Sequence, residues 1–95
     1  MKHGDKVRRN ILDAGVRLWR DNPSKLSARK IAAELRMSHA SVLYHFGTAE
    51  GLRNAIASHA VTMGDQRVVA MLIAERHSTV AHLTAAERQA YLSTL

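Results

Sequence analysis

The stretch LSARKIAAELRMSHASVLYHF, residues Leu26 to Phe46, decides the fold. Ser27 is an N-cap candidate, and Ile31, Ala32 and Leu35 follow at helical spacing on one face. Arg36 and Met37 interrupt that pattern, and Ser38 offers a second N-cap three residues after Leu35. Val42, Leu43 and Phe46 then give the next segment an apolar side of its own. Two short helices joined by so tight a turn make a helix-turn-helix, in which the second helix enters the DNA major groove and presents its N-terminal residues to base edges. Here those residues are His39, Ala40 and Ser41, with Tyr44 and His45 further along.

Upstream, Val7, Ile11, Leu12, Val16, Leu18 and Trp19 recur at spacings of three and four, which predicts an amphipathic helix from about Asp5 to Asp21. Gly15 sits near its middle, where glycine costs about 1 kcal/mol relative to alanine; close approach of another helix is the expected reason for it. Asp21, Asn22, Pro23 and Ser24 end that helix.

Downstream, Gly47 is the expected stop of the recognition helix, and Thr48 with Glu50 opens a longer helix carrying Leu52, Ala55, Ile56, Ala60 and Met63. A break or kink is expected at Gly64 and Asp65. From Gln66 to His77 the apolar residues Val68, Val69, Met71, Leu72 and Ile73 spread over more than one face, so this helix must be covered on several sides. Thr84 and Glu87 form a capping box for a last helix with Ala86, Ala90, Tyr91 and Leu92. The reading is all-α, with six helices and no strand.

Composition narrows the partners. The chain has 95 residues with 14 Lys plus Arg against 8 Asp plus Glu, a net charge of +6 that favours a polyanionic partner, nucleic acid first. A domain of this length buries a modest share of its surface and often gains stability by oligomerising, which predicts a partner subunit. The absence of cysteine excludes disulfide scaffolds and thiolate sites and fits a cytoplasmic protein. No apolar run approaches the roughly 18 residues of a membrane span, so no membrane partner is expected. No glycine-rich phosphate loop or nucleophile and base at a recognisable spacing points to an enzyme. His59, His77 and His82, even with Glu75, match no metal-ligand spacing, and neither metal nor cofactor is expected.

These residues resemble the DNA-binding region of the tetracycline-repressor (TetR) family of bacterial transcription regulators. The resemblance rests on Ile11-Leu12-Asp13-Ala14 with Trp19, then Ser27, Ile31-Ala32, Met37-Ser38, His45-Phe46 and Leu52, over residues from about 8 to 60. Tyr44 and His45 align with positions that face DNA in the family. The chain departs from the family pattern at three points: Arg36 replaces the usual turn glycine, Val42-Leu43 the usual Leu-Tyr pair, and Ala49 a lysine. An L-residue forced to positive φ at Arg36 would be strained. The other two replacements remove two expected phosphate contacts.

The resemblance implies residues 1–63 as a helix-turn-helix DNA-binding domain; residues 64–95 are expected to form a short helical dimerisation segment, each subunit giving two helices to a four-helix bundle, with Val68, Val69, Met71, Leu72, Ile73, Leu83, Tyr91 and Leu92 at the interface. The family's large ligand-binding domain has no counterpart here, and two short helices cannot enclose a cavity of several hundred Å³ and also form a core, so no small-molecule inducer is expected. The implied activity is that of a repressor binding a palindromic operator on double-stranded DNA as a homodimer. Base reading falls to His39, Ser41 and Tyr44. Phosphate contacts fall to Ser27, Arg29, Ser38, His45 and Thr48, and to Lys6, Arg8 and Arg9, which equally could only solvate a helix start. A competing reading is a helical protein-interaction module, or an antagonist that forms mixed dimers with a longer relative.

Overall fold

In the computed structural model, residues 3–93 are described. They form α1 (His3–Asp21), α2 (Ala28–Leu35), α3 (His39–Tyr44), α4 (Ala49–Met63), α5 (Gln66–Ala74) and α6 (Ala85–Leu92). Single 3-10 turns at Pro23–Lys25 and Ser78–Val80 complete the order, and no strand is present among the described residues.

Each boundary has a local cause. Ser27 Oγ accepts from Lys30 N at 3.1 Å, Ser38 Oγ from Ser41 N at 3.0 Å, and Thr48 Oγ1 from Gly51 N at 2.9 Å, which starts α2, α3 and α4. The turn between α2 and α3 closes with Arg36 in the left-handed region (φ 55°, ψ 45°) and Met37 N donating to Ala32 O at 2.9 Å. The strain expected of a side-chain-bearing residue at this turn is therefore present. Gly47 (φ 81°) stops the recognition helix, and Gly64 (φ 68°) ends α4 where the break was expected. At α6, Glu87 N donates to Thr84 Oγ1 at 3.1 Å and Thr84 N to Glu87 Oε1 at 2.9 Å, the reciprocal pair read from the sequence.

One hydrophobic core runs through the molecule. Ile11, Trp19, Ile31, Val42 and Ile56 are fully buried together, and Val68, Val69 and Leu72 of α5 belong to the same cluster. Gly15 lets α1 and α4 meet: a Cβ built there would lie 2.6 Å from Ile56 Cγ1. His59 Nε2 and Asp13 Oδ1, 2.8 Å apart, join the same two helices. Arg17 adds an ion pair to Glu34 of α2 at 3.0 Å.

The expected role of α5 needs correction. Val68, Val69 and Leu72, assigned to a dimer interface, have no exposed surface. Their apolar arc is covered from within, because α5 packs against α1, α4, α6 and the Ser78–Val80 turn. They cannot offer area to a second copy in this conformation. Met71, Ile73, Leu83, Tyr91 and Leu92 remain half-buried around the same helices, and Met63 is 57% exposed at the end of α4.

Candidate nucleic-acid interface

The recognition helix is short and leans on the core through a single buried residue, Val42. Its remaining first-turn side chains, His39, Ala40 and Ser41, are exposed, and Tyr44 is 86% exposed. A tyrosine ring so fully in solvent is not packed against α4. It lies edge-on to His45, with ring centroids 5.7 Å apart, and His45 is half-buried between Tyr44 and Phe46. Ala40, Ser41, Tyr44 and His45 line one shallow hollow along the helix.

The hydroxyls proposed for phosphate are not equivalent. Ser38 Oγ accepts from Ser41 N and donates to Ser41 Oγ at 2.7 Å, so its hydrogen-bonding capacity is largely used inside the first turn of α3. Ser27 and Thr48 are exposed and each accept one backbone N–H, which leaves the O–H of each free to donate outward.

The basic residues divide in the same way. Arg29, in the first turn of α2, is exposed, as is Lys30 beside it, which the sequence reading passed over. Lys6 and Arg9 are exposed on α1. Arg8 is committed inside the chain: its Nη1 donates to His45 O at 2.8 Å and its guanidinium carbon lies 4.3 Å from the Phe46 ring centroid. It ties the start of α1 to the end of α3, so its first role is to position the recognition helix. That role was missed because an arginine and its aromatic partner 38 residues apart leave no signature in spacing.

Two further features surround this face. The N-terminal ends of α2, α3 and α4 converge on a cleft of about 430 Å³ that takes in Ser27, Arg29, His39 and Arg53. Sequence reasoning sought a cavity only in the C-terminal segment. Arg53 lies with its guanidinium carbon 4.5 Å from the ring centroid of Trp19, whose buried Nε1 has no hydrogen-bond partner. Elsewhere, no group of three His, Asp or Glu among the described residues could hold a metal ion, and no helix is long and apolar enough to cross a membrane.

Two capped helices joined at Arg36, with an exposed recognition helix seated through Val42 on the hydrophobic core, define a helix-turn-helix DNA-binding domain. Residues 11–56 match the model of the bacterial regulatory proteins, tetR family. Over those residues the chain is similar to the helix-turn-helix DNA-binding domain of the TetR family of transcription regulators. Comparisons with curated proteins and with solved structures found no match.

Proposed function

We propose that this chain is a sequence-specific transcriptional repressor that binds an inverted repeat on double-stranded DNA as a homodimer. The carrying observation is the exposed face of α3, where His39, Ala40, Ser41 and a nearly fully solvated Tyr44 stand on a helix held from behind by Val42. An aromatic so exposed on a helix of a chain with net charge +6 suits the wall of a major groove and the phosphates beside it. His39, Ser41 and Tyr44 read base edges. Ser27, Arg29, Thr48 and the exposed Lys30 hold the backbone, with His45, Lys6 and Arg9 at the margin.

Residues 1–63 act as the DNA-binding unit and residues 64–95 contribute the dimer contact. Met63, Met71, Ile73, Leu83, Tyr91 and Leu92 supply apolar surface that the single chain leaves partly open. A two-fold dimer sets its recognition helices about 34 to 36 Å apart, in successive major grooves, and repression follows from occlusion of polymerase.

Selection of bound duplexes from a random pool at near-physiological salt, with sedimentation of the protein and its complex, tests this reading. Enrichment of one inverted repeat bound by an even number of chains is the expected result. A folded dimer that enriches no sequence would overturn it and favour a protein-interaction module.

A further inference from the structure

We infer that the cleft between the N-terminal ends of α2 and α4 is a binding site for a small amphipathic carboxylate, which on occupying it competes with DNA. The competition rests on the DNA-binding reading above; the site itself does not.

The walls of the cleft are apolar. Leu26, Ala28 and Leu52 line it, with the fully buried Ile56 behind them, so it lies at the edge of the hydrophobic core. Its volume of about 430 Å³ falls in the range of small-molecule sites. A phosphodiester backbone is a poor occupant of such walls, because its charged and polar groups would give up water without hydrogen-bond partners in return.

The rim has the opposite character. Arg29, Arg53 and His39 border the cleft against one acid, Glu50. Arg8, Arg17, Arg20 and Arg88 are each hydrogen-bonded within the chain. Arg29 and Arg53, like Arg9, Arg36, Arg67 and Arg76, have no side-chain hydrogen-bond or ion-pair partner among the described residues, and of these six only Arg29 and Arg53 border the cleft. Arg53 is held in place by its position over Trp19, which restrains the guanidinium while its N–H groups stay available. A planar guanidinium held in this way matches a carboxylate with two parallel hydrogen bonds. An occupant with an apolar body and one carboxylate satisfies walls and rim together.

Occupancy reaches the DNA face through shared residues. Arg29 is assigned to a phosphate and His39 to a base edge, and both border the cleft. A carboxylate drawn to Arg29 removes one phosphate contact, and its apolar body stands beside the first residue of the recognition helix.

Octanoate is the probe, with 1-octanol as its uncharged counterpart, added to the ¹⁵N-labelled full chain without DNA. Trp19 is the single tryptophan, so one indole N–H resonance reports on the ring beneath Arg53. Octanoate is expected to shift that resonance saturably below about 1 mM, with octanol at least about tenfold weaker. Arg53→Gln and Arg29→Gln should each weaken octanoate by about tenfold while amide dispersion confirms the fold. Arg29 is exposed and its replacement leaves the core untouched, so R29Q keeps the test open if R53Q fails to fold. No saturable shift, equal binding of octanol, or undiminished binding by R29Q overturns the site. Octanoate that binds the free protein yet leaves its affinity for a selected duplex unchanged overturns the competition. Failure to bind any duplex in the absence of octanoate overturns the DNA reading instead.

Discussion

Arg20 Nε donates to Asp65 Oδ2 at 3.0 Å, and a second guanidinium nitrogen of Arg20 engages the same oxygen. This pair fastens the last turn of α1 to the start of α5, so it joins the helix-turn-helix unit to the segment that follows. Asp65 also caps α5, its Oδ1 accepting from Val68 N at 3.0 Å. Burial pushes its carboxyl pKa up. The hydrogen bonds from Arg20 and from the backbone N–H groups of Val68 and Arg67, with the charge of Arg20, outweigh burial and leave the group below the usual carboxylate value.

A carboxyl lowered in the folded state contributes stability above its unfolded value near 3.8, and this is lost as pH falls through the lower folded value. Unfolding in urea at a series of pH values should show a fall in stability below about pH 4 that Asp65→Asn removes. At neutral pH, Asp65→Ala should cost about 1 to 2 kcal/mol, mostly for the lost cap, because Arg20 is 44% exposed and its ion pair is screened. Asn retains a capping oxygen and should cost less. Equal losses for Asn and Ala would place the whole effect on the ion pair.

Gly15 and Ile56 occupy one space. Gly15→Ala forces the Ile56 side chain aside and should destabilise the chain by about 1 to 3 kcal/mol, the range for overpacking a core. Combined with Ile56→Val, which removes a methylene facing Gly15, the loss should be smaller than the sum of the single changes by at least about 0.5 kcal/mol. Additive losses in urea unfolding would show that the helices adjust without contact at this point.

Most helix boundaries were readable because they are set by local chemistry: Ser27, Ser38, Thr48 and Thr84 cap with their own hydroxyls, and Gly47 and Gly64 stop helices with their own backbones; the end of α5 was not, since the helix expected to reach His77 stops at Ala74, with Arg76 at positive φ. Gly15 was readable for a similar reason, since its cost in a helix requires a neighbour. The covering of α5 was legible as a need, from the wide arc of Val68 to Ile73, but not as a source. A sequence says that such a face is buried and does not say whether α1 and α6 or a second chain bury it. At the interface, the exposed side of α3 followed from the apolar side that Val42, Leu43 and Phe46 give to that segment, of which Val42 is fully buried and the other two pack half-buried against the core. The engagement of Arg8 with Phe46 and of Arg53 with Trp19 depends on pairings across helices, where helical spacing carries no information.

Arg36 and Arg76 both close turns at positive φ, 55° and 57°. A left-handed backbone costs an L-residue about 1 to 2 kcal/mol, and glycine recovers this while adding about 0.5 to 1 kcal/mol of unfolded-state entropy. Arg36→Gly and Arg76→Gly should therefore each raise stability by about 0.5 kcal/mol, whereas Arg36→Ala should not. Thermal unfolding of the three variants separates backbone strain from side-chain loss. A gain from Ala equal to that from Gly would assign the effect to the side chain.

Three single substitutions should divide the DNA face by role. Arg29 is exposed in the first turn of α2, so Arg29→Ala should weaken all duplexes alike and reduce the slope of log affinity against log salt by about 1. Tyr44 stands on the open face of α3, and Tyr44→Ala should cost about 1 to 3 kcal/mol at the base pairs it meets and little elsewhere. Arg8 contacts Phe46 and His45, so Arg8→Ala should lower folding stability by about 1 kcal/mol and weaken binding through misplacement of α3. Its salt slope should stay unchanged. Equilibrium binding of selected and scrambled duplexes at three salt concentrations, beside urea unfolding, gives all the quantities. A reduced slope for Arg8→Ala would make Arg8 a phosphate contact after all, and an unreduced slope for Arg29→Ala would remove Arg29 from the interface.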